Sequence, residues 1–183
     1  MKKQFYNSEE EFIEFYRSLK LIQCPCCRKT GFLILHGYLY GYNETAASEI
    51  IKRGRRIFCS NRKNSKGCGK TFSLLLTHFI KGFIIQASSI WEFLKNISAG
   101  KSKKASFEKL NLSFSNSAIY RLYDKFKSKQ THIRTLLSNI LEPPHLKDTG
   151  NPEIQTINHL INAFKDVSCP VESFQNHFQI SFL

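Results

Sequence analysis

A chain of 183 residues supports one or two small domains, and it contains no run of eighteen apolar residues and no signal-peptide hydrophobic region at its start. The formal charge of +13 is uneven: residues 1–23 balance four Lys/Arg against four Glu, residues 24–141 hold twenty-one against five acids, and residues 142–183 hold two against five. A basic middle is the footprint of a polyanion-binding surface, or a solvated face kept for solubility. Membrane partnership is disfavoured, because neither terminus carries a basic amphipathic helix. A cytoplasmic, thiol-reducing setting is the expectation.

In chain order, Ser8-Glu9-Glu10-Glu11 reads as a capping box, and Phe12, Phe15, Tyr16 and Leu19 follow at helical spacing, predicting a short helix over 9–19. Cys24 and Cys27 then form one tight knuckle, and Cys59 and Cys68 a second. Zn²⁺ takes four tetrahedral ligands, and two short turns each supply two thiolates, so these four are the expected ligands of a structural zinc ion. The second pair is separated by eight residues instead of two, which is tolerable if the polar stretch Ser60–Lys66 loops out. Free or disulfide-bonded cysteines are the alternative, and a redox dithiol is disfavoured because no βαβ pattern surrounds the pair. Cys26 is read as a spare thiol and Cys169 as a small buried hydrophobe.

Between and after the knuckles the sequence predicts strands over 31–42, 50–59 and 71–75, with His36 a strand residue and not a ligand. Thr77 reads as the N-cap of a helix from His78 to about Ile97, with Trp91 in its apolar face. A short helix at about 102–110 and a turn at 111–114 precede a helix capped by Ser115. Ile119, Leu122, Tyr123 and Phe126 form the buried side of that last helix. Two helices joined by a short turn match a helix-turn-helix, with an ordinary three-helix packing unit bearing a solvated basic face as the alternative. Ile119, Phe126, Ile133 and Ile140 recur every seven residues, which leaves open pairing with a second copy as a homodimer or packing within the chain. Glu142-Pro143-Pro144 ends the rod, a linker follows over 147–151, and further helices begin at Asn151-Pro152 and Cys169-Pro170. These last elements are expected to fold back as an acidic lid or a partner-docking surface.

The expected architecture is therefore α+β and mostly α. Residues 1–76 form the N-terminal helix plus zinc ribbon, 77–141 a helix-turn-helix-like domain, and 142–183 a linker and C-terminal helices. Phosphates would meet Lys52, Arg53, Arg55, Arg56, Arg62, Lys63, Lys66 and Lys70 on the ribbon and Lys103, Lys104 and Lys125 on the helices. Base reading would fall to Asn116, Ser117 and Arg121. No convergent carboxylates, phosphate-cradling glycine loop or Ser-His-Asp constellation is evident, so an enzyme is not expected.

Cys24-Pro25-Cys26-Cys27, Gly54-Arg55-Arg56-Ile57-Phe58-Cys59 and Gly67-Cys68-Gly69-Lys70-Thr71-Phe72-Ser73 resemble the N-terminal zinc ribbon of bacterial insertion-sequence transposases and their accessory proteins. Ser117-Ala118-Ile119-Tyr120-Arg121-Leu122 is similar to the start of that family's recognition helix. The resemblance covers roughly 24–130 and departs from the family in its long second knuckle and its long turn over 111–115. It implies duplex DNA binding, a link to transposition and a separate transposase as partner, while the family's catalytic acidic domain has no counterpart. A transcriptional regulator, an RNA-binding ribbon protein and a protein-interaction adaptor are the other readings.

Overall fold

The computed structural model describes residues 3–143 and 151–183. Its elements are β1 (Phe5–Tyr6), α1 (Glu9–Ser18), β2 (Leu33–Tyr42), β3 (Ile50–Cys59), β4 (Thr71–Leu76), α2 (Ala87–Ser98), α3 (Lys103–Glu108), α4 (Asn116–Leu137), α5 (Pro152–Ala163) and α6 (Pro170–Phe178). The class is α+β. β2, β3 and β4 form an antiparallel sheet, and β1 adds to its far side in parallel with β4, giving the order β1-β4-β3-β2. Nothing in the two-residue stretch Phe5–Tyr6 signals a strand; both side chains are fully buried, and burial selects the pairing.

Ser8 caps α1 as its sequence predicts, accepting from the Glu11 N–H at 3.3 Å. Glu11 reaches back one residue further than a capping box requires and accepts from the Asn7 N–H. Phe12 and Leu19 turn inward onto Tyr6, Leu33, Ile57 and Leu74, and this small core also takes in Cys24 and Cys59. A second core joins Ile90, Trp91 and Leu94 of α2 to Ile119, Phe126 and Ile133 of α4, Leu160 of α5 and Phe174 of α6.

Two expectations need correction. The helix that sequence periodicity starts at His78 starts at Ala87, and Thr77 caps nothing; its hydroxyl donates to Asn7 Oδ1. Residues 78–86 instead make a turn, closed by a bridge between Phe79 and Gln86 and bent at Gly82, whose φ of +82° suits glycine. The C-terminal elements are not a lid. Val171, Phe174 and Phe182 lie at 1 % exposure or less within the helical core.

Polar ties join the two cores. Gln175 of α6, fully buried, donates to the carbonyls of Thr77 and Phe79, and its Oε1 accepts from the Phe182 N–H. Gln179 Oε1 accepts from the N–H groups of Gln4 and Phe5, so the C-terminal helix pins the N-terminal strand. Glu44, in the β2–β3 loop, accepts from the Gln86 N–H and the Ser89 hydroxyl, both at 2.7 Å, and so caps α2 from a distant part of the chain. Its carbonyl accepts from the N–H and hydroxyl of Ser113, which fixes the turn between α3 and α4 to the same loop.

The heptad positions of α4 are occupied within the chain. Ile119, Phe126, Ile133 and Leu137 are buried, while Ile140 and Leu141 beyond the helix end are exposed. The linker expected over 147–151 falls outside the described residues, apart from Asn151.

Candidate metal centre and basic surface

The sulfurs of Cys24, Cys27, Cys59 and Cys68 all lie within 4.8 Å of one another. Cys24 Sγ is 3.7 Å from Cys68 Sγ, and Cys27 Sγ is 3.7 Å from Cys59 Sγ. A disulfide would hold two sulfurs about 2.05 Å apart, so these are four free thiols. A tetrahedron of thiolates around a zinc-sized ion, with metal–sulfur bonds of about 2.3 Å, has edges of about 3.8 Å. The two 3.7 Å pairs match that edge and all four sulfurs lie within 4.8 Å of one another, which is consistent with a metal site.

The local backbone explains how unequal sequence spacings produce equivalent knuckles. In the first, the Cys24 N–H donates to Lys29 O and the Arg28 N–H to Cys24 O, each at 2.9 Å. In the second, the Cys59 N–H donates to Lys70 O and the Gly69 N–H to Cys59 O, again at 2.9 Å. The residue after the last cysteine is left-handed in both, Arg28 at φ +59° and Gly69 at φ +71°. The extra residues 61–66 leave the second knuckle between Ser60 and Gly67, whose N–H donates to Ser60 O and closes the excursion. A Cβ on Gly67 would lie 2.2 Å from Ser60 O and 2.8 Å from Cys59 Sγ, so only glycine fits there.

Backbone N–H groups also point at the sulfurs, from Cys26 to Cys24 Sγ at 3.4 Å and from Cys68 to Cys59 Sγ at 3.3 Å. Burial pushes the Cys24 thiol up, but the N–H groups of Cys27 and Cys26 outweigh it and bring it down to about 7. Cys59 is pushed up to about 12, first by burial and then by the crowding sulfurs. Four sulfurs this close cannot all ionise without a cation among them. Cys26 is exposed and stands outside the cluster. Cys169 is buried in the helical core, where burial raises its thiol to about 11. His36 rests its ring against Phe58 at 5.2 Å and takes no part in the cluster.

The basic residues divide by environment. Lys52 and Arg55 both pair with the Glu9 carboxylate of α1. In a regular strand, residues three apart face opposite sides. Here Leu39 pairs with Gly54 and Tyr40 with Lys52, so Arg53 is an extra residue, and this bulge brings Lys52 and Arg55 to one face. The Arg55 guanidinium lies 4.6 Å over Phe12 and 4.3 Å over Tyr38. Arg53 stacks on Phe79 at 4.6 Å and donates to Ile80 O. These three cations are built into the fold.

Arg56, Arg62, Lys63, Lys66 and Lys70 are exposed around the second knuckle, with Arg62 5.1 Å over the Phe58 ring. On the helices, Lys104, Arg121 and Lys125 are exposed, and Lys103 lies 4.2 Å over the Tyr123 ring. α4 begins at Asn116, and the exposed Ser117 hydroxyl shares a hydrogen bond with Ser115. Ile119, Leu122, Tyr123 and Phe126 face inward as the periodicity predicts. The contribution of Glu44 has no signal in the sequence, because its partners lie more than forty residues away.

No helix among the described residues is long and apolar enough to cross a membrane. No protein-family model, curated protein or solved structure matches this chain.

Proposed function

We propose that the chain is a non-catalytic DNA-binding protein in which a structural zinc ion, held by Cys24, Cys27, Cys59 and Cys68, organises a zinc ribbon. α3 and α4 act as a helix-turn-helix, and the protein serves a transposable element beside a separate transposase. The observation that carries the reading is that the densest exposed cations lie on the loop between Cys59 and Cys68, two of the four clustered sulfurs. Arg62, Lys63 and Lys66 project from the excursion that Ser60 and Gly67 close beside the cluster, and Lys70 follows directly.

Four thiolates leave no open coordination position, so the metal's role is to supply folding energy and not Lewis acidity. Phosphates are met by Arg56, Arg62, Lys63, Lys66 and Lys70, with Lys104 and Lys125 from the helices, through counterion release. Arg121 reads bases from the exposed side of α4, together with Asn116 and Ser117 at its start. Lys52, Arg53 and Arg55 act indirectly, by holding β3 against α1 and Phe79.

The test is a salt series of duplex affinity with metal-loaded and metal-stripped protein. The reading expects steeply salt-dependent binding that disappears on chelation and returns with Zn²⁺. Affinity that ignores both salt and chelator contradicts it.

A further inference from the structure

β2 is the outer strand of the sheet, and Tyr38, Tyr40 and Tyr42 occupy alternate positions along it, at 44 %, 59 % and 54 % exposure. Strand propensity alone does not account for this row. All sixteen Phe are buried or half-buried, whereas five of the seven Tyr are exposed, and three of those five stand side by side here. Tyr38 is held as a fixed anchor, with the Lys52 ammonium 4.7 Å and the Arg55 guanidinium 4.3 Å from its ring centre. Those two cations share one carboxylate, Glu9, which leaves the face beside the row with an uncompensated positive charge. Glu49, near the Tyr42 end, accepts from the neutral Asn43 amide and keeps its negative charge, so the positive excess lies at the Tyr38 end of the row.

We propose that this row is a stacking platform for the unpaired bases of a single DNA strand, an inference that rests on the DNA-binding reading above. Alternate residues of a strand repeat every ~6.7 Å, about twice the 3.4 Å rise between stacked bases, so the row is in step with every second base of a stacked strand. The Tyr38 and Tyr40 ring centres are 6.0 Å apart and the rings are tilted by 52° to each other, so each exposed ring offers a base a face, not a slot between rings. Aromatic faces accept any base, so the platform is tolerant of sequence, and the net positive charge beside the row favours a polyanion without a direct phosphate contact from Lys52 or Arg55. An intact duplex keeps its base faces covered and cannot use it. The row therefore distinguishes melted from paired DNA, beside a helix pair that addresses the duplex.

The experiment compares a labelled T20 strand and a 20-base-pair duplex on the full chain. Two double variants are used: Tyr40→Thr with Tyr42→Thr, which keeps strand propensity and removes the rings, and Tyr40→Phe with Tyr42→Phe, which keeps the rings. The threonine variant is expected to lose at least about tenfold in single-strand affinity, with duplex affinity within about twofold and metal content unchanged. The phenylalanine variant is expected to bind as the parent does. Unchanged single-strand affinity in the threonine variant, with duplex binding intact, overturns the platform and leaves the DNA reading standing. Loss of affinity in the phenylalanine variant overturns stacking in favour of the hydroxyls. A parent that sediments as a dimer while the threonine variant is monomeric assigns the row to a second copy and overturns the proposal. Failure of the parent to bind either DNA overturns this inference and the function above it together.

Discussion

Gly67 stands so close to the sulfur of Cys59 that a single added methyl would lie 2.8 Å from it. This contact makes the long second knuckle equivalent to the short first one. Gly67 occupies the position before Cys68, Ser60 the position after Cys59, and everything between them is an excursion.

Gly67→Ala is therefore expected to weaken metal binding, because the new Cβ also meets Ser60 O at 2.2 Å and the backbone must yield. The cost is that of overpacking, about 1–3 kcal/mol, or roughly fivefold to 150-fold in affinity. Competition with a chromophoric chelator measures it. Joining Ser60 directly to Gly67, with residues 61–66 removed, is expected to keep one metal per chain while lowering DNA affinity, because Arg62, Lys63 and Lys66 leave with the loop.

Cys68→Ser removes one of the four proposed ligands and is expected to release the ion and unfold the sheet. The helical core is a separate apolar cluster, so most of the far-ultraviolet helical signal is expected to remain. Metal analysis and circular dichroism on the same sample check both halves. Retention of stoichiometric metal would remove Cys68 from the ligand set.

Glu44→Ala leaves the Gln86 N–H and the Ser89 hydroxyl without their partner at the start of α2. The expected loss is about 1–2 kcal/mol in urea unfolding, typical of a lost cap. Since the Glu44 carbonyl also holds Ser113, hydrogen exchange is expected to rise in the turn before α4 only modestly, because that bond belongs to the backbone and survives the substitution.

Burial pushes the Glu9 carboxyl up, but hydrogen bonds and charge from Lys52 and Arg55 outweigh it and hold it below its ordinary value of 4.5. A carboxylate depressed in the folded state stabilises above its unfolded pKa, and that stability is lost as pH falls through the folded value. Thermal melts of the parent and Glu9→Gln are thus expected to differ at neutral pH and to converge well below pH 4.5. Because both chains carry the same cysteines, their difference isolates Glu9 from acid release of the metal.

The cysteine spacing made the four-thiol cluster legible, and the stretch Ile50–Cys59, apolar at both ends around its basic pairs, was readable as β3. The inward face of α4 followed from helical periodicity alone. What stayed hidden depends on contacts between distant residues. The start of α2 is set by Glu44, so the apolar stripe from Ile80 onward pointed to a helix nine residues too early. The Arg53 bulge turns Lys52 and Arg55 onto Glu9, and their charge reads as a phosphate-binding cluster until that pairing is seen. Phe174 and Phe182 resemble an amphipathic lid in sequence, yet they fill the helical core, while Gln175 and Gln179 satisfy backbone groups of the N-terminal half. Unmatched, each such buried group costs about 1–3 kcal/mol.

The central claim is that one zinc ion sits among the sulfurs of Cys24, Cys27, Cys59 and Cys68. X-ray absorption at the zinc edge of the purified full chain tests it most directly. The account predicts one zinc per chain with four sulfur neighbours at about 2.3 Å and no nitrogen or oxygen in the coordination shell. A protein that folds without metal, or a zinc shell containing light-atom ligands, would contradict it.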